Sequence, residues 1–196
     1  MMVVIVVLLF SPGEIFPEEV VKYNEVTFNN QSEIFHCGAD AVCITTNGCN
    51  RKDGKAVMGR GIAAYVAERD PVVQTILGQI NAVNWGEVAI LRQYKNGLSI
   101  VSFPVKPNFG PVDDALPHLK KRFAGQNYAP GWACRARLSI IESSACQLMN
   151  LIIKHNWTKV MLPAPGCGNG GLKYEDVKKS LIHILDDRVH VSFLSR

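Results

Sequence analysis

Half of the sixteen glycines in this 196-residue chain fall in two short windows: Gly48, Gly54, Gly59 and Gly61, then Gly166, Gly168, Gly170 and Gly171. Each window follows an apolar, strand-like run and precedes a helical pattern. At such a junction free backbone N–H groups and the positive end of the helix dipole converge on one spot. Glycine there lets a ligand come close to the main chain. Two such loops facing one another across strand ends would make an anion cradle suited to a diphosphate. The first window is not a P-loop, because Gly59 and Gly61 are followed by Arg60 and Ile62 instead of Lys and Ser or Thr. The second, Gly166-Cys167-Gly168-Asn169-Gly170-Gly171, overlaps a dinucleotide fingerprint but leaves no room for a further βαβ unit with its ribose-binding acid.

Metal chemistry has little to rest on. The six cysteines, Cys37, Cys43, Cys49, Cys134, Cys146 and Cys167, contain no C-x-x-C pair, and no histidine stands at zinc-finger spacing from them. No metal and no cofactor is expected, since the loops themselves would supply positive potential. Cys37 and Cys43 lie six apart near one apparent strand and would share a face.

The elements that must position these loops alternate along the chain. Val26–Phe28 reads as a weak strand and 40–46 (DAVCITT) as a stronger one, leading into the first glycine window and a helix over 62–69. Asp70-Pro71 reads as an N-cap and first-position proline for a helix to about Val83. Strands over 88–94 and 98–103 flank Lys95-Asn96-Gly97, a hairpin signal. The stretch 104–136 is broken by five prolines and is expected to be irregular. Leu138, Ile141, Ala145, Leu148 and Ile152 make one helical stripe. Val160-Met161-Leu162 is a short strand, 174–185 a helix with Val177, Leu181 and Ile184 inward, and 189–194 the strand that closes the sheet. This alternation predicts an α/β fold, a three-layer α/β/α domain with a mixed central sheet.

Composition agrees with a globular chain: 47% hydrophobic and 19% charged residues lie outside the disordered range. A net charge of +4, spread along the chain, tolerates a polyanionic partner without demanding one. The apolar run Met1–Phe10 is too short to cross a bilayer as a helix, and no charge appears before Glu14, whereas a secretory signal would want a basic start; its β-branched residues Val3 to Val7 suit a buried strand. Residues 1–20 are accordingly read as an apolar extension that adds a strand, and 21–196 as the domain. A cytoplasmic location with reduced thiols and no membrane partner is expected; the oligomeric state stays open.

Four segments together resemble the macro domain family. Asp40-Ala41-Val42-Cys43-Ile44-Thr45-Thr46-Asn47 is similar to its D-A-[IVL]-V-N-x-x-N strand, and Met58-Gly59-Arg60-Gly61-Ile62-Ala63 to its M-G-K-G-[IL]-A helix start. Leu162 to Leu172 resembles L-P-x-[LIP]-G-C-G-x-G-G-L, and Phe103-Pro104-Val105-Lys106 resembles F-P-T-K. The likeness covers roughly residues 25–195 and is strongest to a subgroup that holds DNA ADP-ribosyl glycohydrolase antitoxins and ADP-ribose 1''-phosphate phosphatase-like proteins.

The resemblance implies ADP-ribose binding at the strand ends, with ADP-ribose or an ADP-ribosylated nucleic acid or protein as partner. Asn47 would hold the distal ribose. Gly59, Arg60, Gly61 and Ile62 would line one side of the diphosphate, and Gly166, Cys167, Gly168, Asn169, Gly170 and Gly171 the other. Glu33 stands where the family often carries an adenine-contacting Asp or Asn; Phe35, Ile62 and Phe193 are candidate adenine walls. Asn47 and Lys106 are the candidate catalytic residues, Lys106 matching a lysine implicated in DNA de-ADP-ribosylation and expected just past a strand end. The expected activity is hydrolysis of an ADP-ribose derivative, at a nucleobase, a protein or the 1''-phosphate; the alternative is a module that only recognises ADP-ribose. An aspartate that assists the lysine in one relative is absent, its place taken by Gly170. The link 49–57 is longer than in the DNA-acting relatives and carries Arg51, Lys52 and Lys55, which could contact substrate. Lys173-Tyr174 stands where D-W is common, and His36 and His118 are candidate general acids.

Overall fold

The computed structural model describes residues 23–195. The readings made for residues 1–20 therefore lie outside the described part. Eight strands and five α-helices run in the order β1 (Asn24–Phe28), α1 (Gln31–Ile34), β2 (Ala41–Asn47), α2 (Gly61–Arg69), α3 (Val72–Asn84), β3 (Ile90–Gln93), β4 (Ser99–Lys106), β5 (Phe109–Pro111), β6 (Tyr128–Pro130), α4 (Leu138–His155), β7 (Val160–Pro163), α5 (Tyr174–Leu181) and β8 (Val189–Leu194). Six strands form one sheet in the order β1-β8-β7-β2-β4-β3, parallel except for β3. β5 and β6 pair separately as an antiparallel ribbon.

Alternation along the central strands builds two cores. Ala41 and Cys43 of β2, with Val101, Phe103 and Val105 of β4, face α4 and α5, where Ile141, Ala145, Leu148, Ile152, Val177 and Leu181 are fully buried. Val42 and Ile44, with Ile100 and Met161, face α2 and α3 through Ile62, Val66, Val73 and Leu77. The sheet is thus sandwiched, as the mixed α/β pattern predicts. No helix among the described residues is long and apolar enough to cross a membrane.

Several local expectations change. β8 does not close the sheet; it lies between β7 and β1, and β1 is the outermost strand among the described residues. Asp70 does not cap α3: its carboxylate is engaged by Arg92 at 3.1 Å and accepts from the Tyr94 hydroxyl at 3.0 Å. α5 ends at Leu181, short of the expected 185; Val177 and Leu181 are buried as expected, Ile184 packs half-buried against the same core, and Leu185 joins it from the turn that follows. Cys37 and Cys43 do not share a face, since Cys37 follows α1 and packs on the α2–α3 side whereas Cys43 faces α4. The proline-rich stretch is ordered: it completes β4, forms β5 and β6, and packs on a small core of Ala115, Phe123, Ala129, Ala133 and Cys134.

Asp40 ties the start of β2 to the α4–β7 turn. Its Oδ2 accepts from Thr158 N at 2.7 Å, Thr158 Oγ1 at 3.0 Å and Lys159 N at 3.0 Å. Burial alone would raise the Asp40 pKa, but these donors outweigh it and hold the carboxyl below its ordinary value.

Candidate functional site at the strand ends

Parallel strands β2, β4 and β7 end on one side of the sheet, and both glycine loops start there. The first loop enters α2 through Arg60, an N-cap residue in extended conformation whose side chain makes no capping bond. Gly61 opens the helix at φ +59°, a value other residues rarely adopt. Buried Met58 and Ile62 anchor the loop on the α2–α3 core. Among the described residues, no acceptor takes the N–H groups of Gly59, Arg60, Gly61 or Ile62. They form an open donor set at a helix start, where anions are favoured.

The second loop is closed by its own hydrogen bonds. Leu172 N donates to Gly166 O at 3.0 Å, Gly171 N to Gly168 O at 3.2 Å, and Cys167 N to Ala164 O at 3.4 Å. The Cys167 thiol donates to Pro165 O at 3.4 Å, and burial pushes its pKa up to about 11. Cys167 and Gly171 therefore spend their N–H groups on the turn. Gly168, Asn169 and Gly170 keep theirs without an acceptor among the described residues, and Gly168 and Asn169 are exposed. The two loops meet: a Cβ at Gly61 would stand 3.9 Å from Asn169 Nδ2. At Gly170 a Cβ would fall 2.3 Å from Gly166 O. An acidic side chain in that place is thus sterically excluded unless the loop is rebuilt.

Lys106 is the final residue of β4 and not a residue beyond it. It is paired in register with Asn47 at the end of β2. Lys106 is 7% exposed, and its Nζ donates to Trp132 O at 3.1 Å. Burial lowers its pKa to about 8; Cys134 and Cys49 pull the other way, and the Arg60 guanidinium lowers it further. Burial also raises the pKa of both thiols, which keeps them neutral near pH 7 and limits their pull. Loop 2 is bonded to the same strand end, since Ala136 N donates to Gly170 O at 2.9 Å and Arg137 N to Val105 O at 3.0 Å. One buried amine, two donor loops and the Asn47 amide thus share one strand end.

The Asn47 side chain is already occupied in part. Its Nδ2 donates to Val57 O at 3.0 Å, and its Oδ1 accepts from Cys49 N at 3.0 Å. These bonds clamp the two ends of the 49–57 link, which folds as a tight hairpin on α3. Ala56 N donates to Gln74 O at 2.9 Å, and a Cβ at Gly78 would fall 2.1 Å from Gly54 O. Asn81, buried on α3, donates to Asn47 O at 3.3 Å and Asn50 Oδ1 at 3.2 Å. Sequence reasoning missed this support, although a small residue and an amide three apart on the inward stripe of α3 were its signal. Arg51 leans on Asp53 and Gln74, while Lys52 is exposed and Lys55 half-buried.

The other candidates scatter. Glu33 closes the start of α1: it accepts from Asn29 N at 3.0 Å and Asn30 Nδ2 at 2.9 Å, while Asn30 caps Glu33 N at 3.2 Å. That reciprocal arrangement resembles a capping box and occupies the carboxylate. Phe35 stacks on Tyr65 at 5.2 Å and, with His36, lines a cavity of about 380 Å³ bounded by Arg69, Tyr94 and Leu98. That cavity sits by the C-terminal half of α2, lined by Tyr65, Val66 and Arg69 and by none of the loop glycines. Phe193 packs edge-on against Tyr174 at 4.7 Å. His118 is exposed. Among the described residues, no cluster of three His, Cys, Asp or Glu could hold a metal.

No protein-family model matches the chain. Two curated proteins, each named DNA ADP-ribosyl glycohydrolase, from Mycobacterium bovis and Mycobacterium tuberculosis, are 28% identical over 133 residues, 64% of this chain. That match covers 31% of each relative, so the chain spans about a third of their length. Among solved structures, the macrodomain of Mycobacterium tuberculosis DarG aligns over 88% of this chain and 100% of its own, with TM-score 0.60 and 20% identity. The macrodomain of Thermus aquaticus DarG covers 89% and 99%, with TM-score 0.61 and 19% identity. Thermosipho africanus DarTG in complex with ADP-ribose covers 88% and 42%, with TM-score 0.60 and 17% identity. Taken with the sheet order and the two loops, these likenesses show that the chain has the macrodomain fold.

Proposed function

We propose that the protein binds ADP-ribose between its two glycine loops and hydrolyses the bond that joins ADP-ribose to a nucleobase. In this reading residues 21–196 are the binding unit and 1–20 an extension of it. The diphosphate takes the N–H donors of Gly59 to Ile62 on one side and of Gly168 to Gly170 on the other. Backbone donors to an ionised phosphate contribute about 1.5–3 kcal/mol each, enough for micromolar affinity after the cost of immobilising the ligand. The adenine side is less determined, because Glu33 is held by its helix cap.

The observation that carries the enzymatic reading is Lys106: a nearly buried amine beside Asn47, with a pKa of about 8. No carboxylate can stand at Gly170 to take a proton from it. A nucleophile here must lose its proton to solvent, and burial brings that loss down to about pH 8. The neutral amine attacks C1'' of the distal ribose, and the C1''–N bond breaks with its electron pair leaving on the base, which takes a proton from water. The Lys106–ribose adduct loses a proton and opens to an imine. Water then hydrolyses the imine, releasing ADP-ribose and restoring the amine. The curated relatives' name and the ADP-ribose complex of a structural neighbour support the same substrate class.

The excluded acid at Gly170 also favours a second reading, a module that recognises ADP-ribose without turning it over. Calorimetric titration with ADP-ribose, with AMP and ribose 5-phosphate as controls, tests the cradle: micromolar ADP-ribose binding and far weaker fragments are expected. Turnover assays on an ADP-ribosylated oligonucleotide, an ADP-ribosylated protein and ADP-ribose 1''-phosphate then separate the chemistries. Lys106→Ala should lower oligonucleotide turnover by about 100-fold or more while ADP-ribose affinity stays within a few-fold. Equal loss of both would make Lys106 a binding residue, and turnover of the 1''-phosphate alone would make the protein a phosphatase.

A further inference from the structure

The β5–β6 ribbon presents an outer face that nothing in the described structure covers. Side chains alternate across it. Ala129 is buried, and a Cβ at its partner Gly110 would meet Cys134 Sγ at 3.2 Å, so this pair faces inward. Phe109, Pro111, Tyr128 and Pro130 are left on the outside. Phe109 and Tyr128 are 58% and 59% exposed, with ring centres 5.8 Å apart in an edge-to-face pair. Exposed aromatics grouped on one face mark an interaction site more often than scattered ones do.

The same unit is basic. Lys120, Lys121 and Arg122 form an exposed 3-10 turn, and among the described residues only Lys120 has an acidic partner, Asp113 at 3.6 Å. Arg122 lies over the Trp132 ring at 5.3 Å, and the carbonyl of Trp132 is the one that holds Lys106. Phe109 follows Lys106 by three residues, a reach of at most about 10 Å even if fully extended. The ribbon therefore starts at the same strand end that carries the amine.

We propose that the outer face of the β5–β6 ribbon, Phe109 with Tyr128, together with the exposed basic residues Lys121 and Arg122 of the same unit, binds single-stranded nucleic acid flanking the modified base. The proposal rests on the reading of Lys106 and the glycine loops as an ADP-ribosyl hydrolase site. Aromatic rings stack on any base, and lysine and arginine meet the phosphates, so recognition here is tolerant of sequence and sensitive to salt. Paired bases offer no free faces, and a duplex gains only the charge contribution. The sign of the charges favours a polyanion over an apolar protein partner.

The test uses the full chain and a fluorescently labelled ten-nucleotide single strand, read by anisotropy, beside the same sequence as a duplex. Phe109→Ala/Tyr128→Ala removes two exposed rings, so an unchanged melting temperature is expected. Single-strand Kd should rise at least fivefold in this variant, duplex Kd should hold, and ADP-ribose Kd should hold. Lys121→Glu should weaken both nucleic acids and flatten the salt dependence. With an ADP-ribosylated ten-mer the double variant should raise KM with little change in kcat, whereas an ADP-ribosylated mononucleoside should be processed as by the parent. Equal single-strand affinity in parent and double variant overturns the proposal, as does a parent that binds ADP-ribose but no oligonucleotide; a protein partner then becomes the better reading of the face. A parent that binds the single strand through these rings but not ADP-ribose instead overturns the function proposed above and leaves the ribbon site standing.

Discussion

The two glycine loops have similar composition and opposite construction. In the first, Gly59 has open space where a Cβ would go, and Gly61 meets only the tip of Asn169 at 3.9 Å. In the second, Gly170 has no space, with Gly166 O at 2.3 Å, and three of the loop's N–H groups are spent on its own turns. Gly48 at the head of the first window is tightly packed, with Asn108 Cβ at 2.7 Å, but at Gly59 and Gly61 the glycines leave the backbone surface bare. Glycine in the second mostly lets the loop close, and only Gly168, exposed with no atom within 4 Å of its Cβ position, shares the first loop's openness.

The largest effect is expected where openness and donors coincide. Gly168→Glu has room to fold, but it sets a carboxylate among the phosphate donors. ADP-ribose affinity should fall about 100-fold or more, the equivalent of two lost charge-assisted hydrogen bonds, with melting temperature little changed. Unchanged affinity in the folded variant would remove loop 2 from the site.

Gly170→Ala breaks the other half of the comparison. A methyl group against a backbone carbonyl cannot be relieved by a rotamer change, so a loss of about 3 kcal/mol in chemical denaturation is expected. A variant as stable as the parent would mean that the second loop is as adaptable as the first.

Gly59→Ala should be nearly silent in stability, within about 0.5 kcal/mol, yet weaken ADP-ribose roughly tenfold by holding the phosphate off the backbone. Loss of stability instead would show that the first loop is also self-packed.

The smallest effect links loop 1 to the chemistry through charge. On the proposed mechanism turnover needs the neutral Lys106 amine, so it should rise with pH through about 8 and level off above that value. Arg60 lowers the lysine's pKa by repulsion, so Arg60→Ala should move the midpoint upward, by less than burial moves it downward. A rate independent of pH between 7 and 9 would argue against a lysine nucleophile.

The positions of both loops were legible because the signals are local. A β-branched run, a glycine cluster and a helical stripe lie next to each other in the chain, and strand–helix alternation leaves few ways to layer them. α4 showed itself through five apolar residues at helical spacing, four of them fully buried. The ribbon did not show itself, because three-residue strands are too short to display a period and prolines mask them. Cys37 was misplaced for a related reason: the strand begins at Ala41, and spacing carries over to a shared face only within one element.

The sequence by itself determined most strands and helices of the main sheet and the two glycine junctions, because these depend on neighbours in the chain; the pairing of Asn47 with Lys106 joins two strands and came from the fold. Tertiary structure alone decided how those groups are used. It buried Lys106 between β4 and the Trp132 carbonyl and so brought its pKa to about 8, clamped the Asn47 amide between Val57 and Cys49, and gave the Glu33 carboxylate to a helix cap. It also put a backbone carbonyl where a catalytic acid would stand at Gly170. Burial, hydrogen-bond competition and steric exclusion are properties of contacts between segments distant in sequence, and such contacts exist only once the chain has folded.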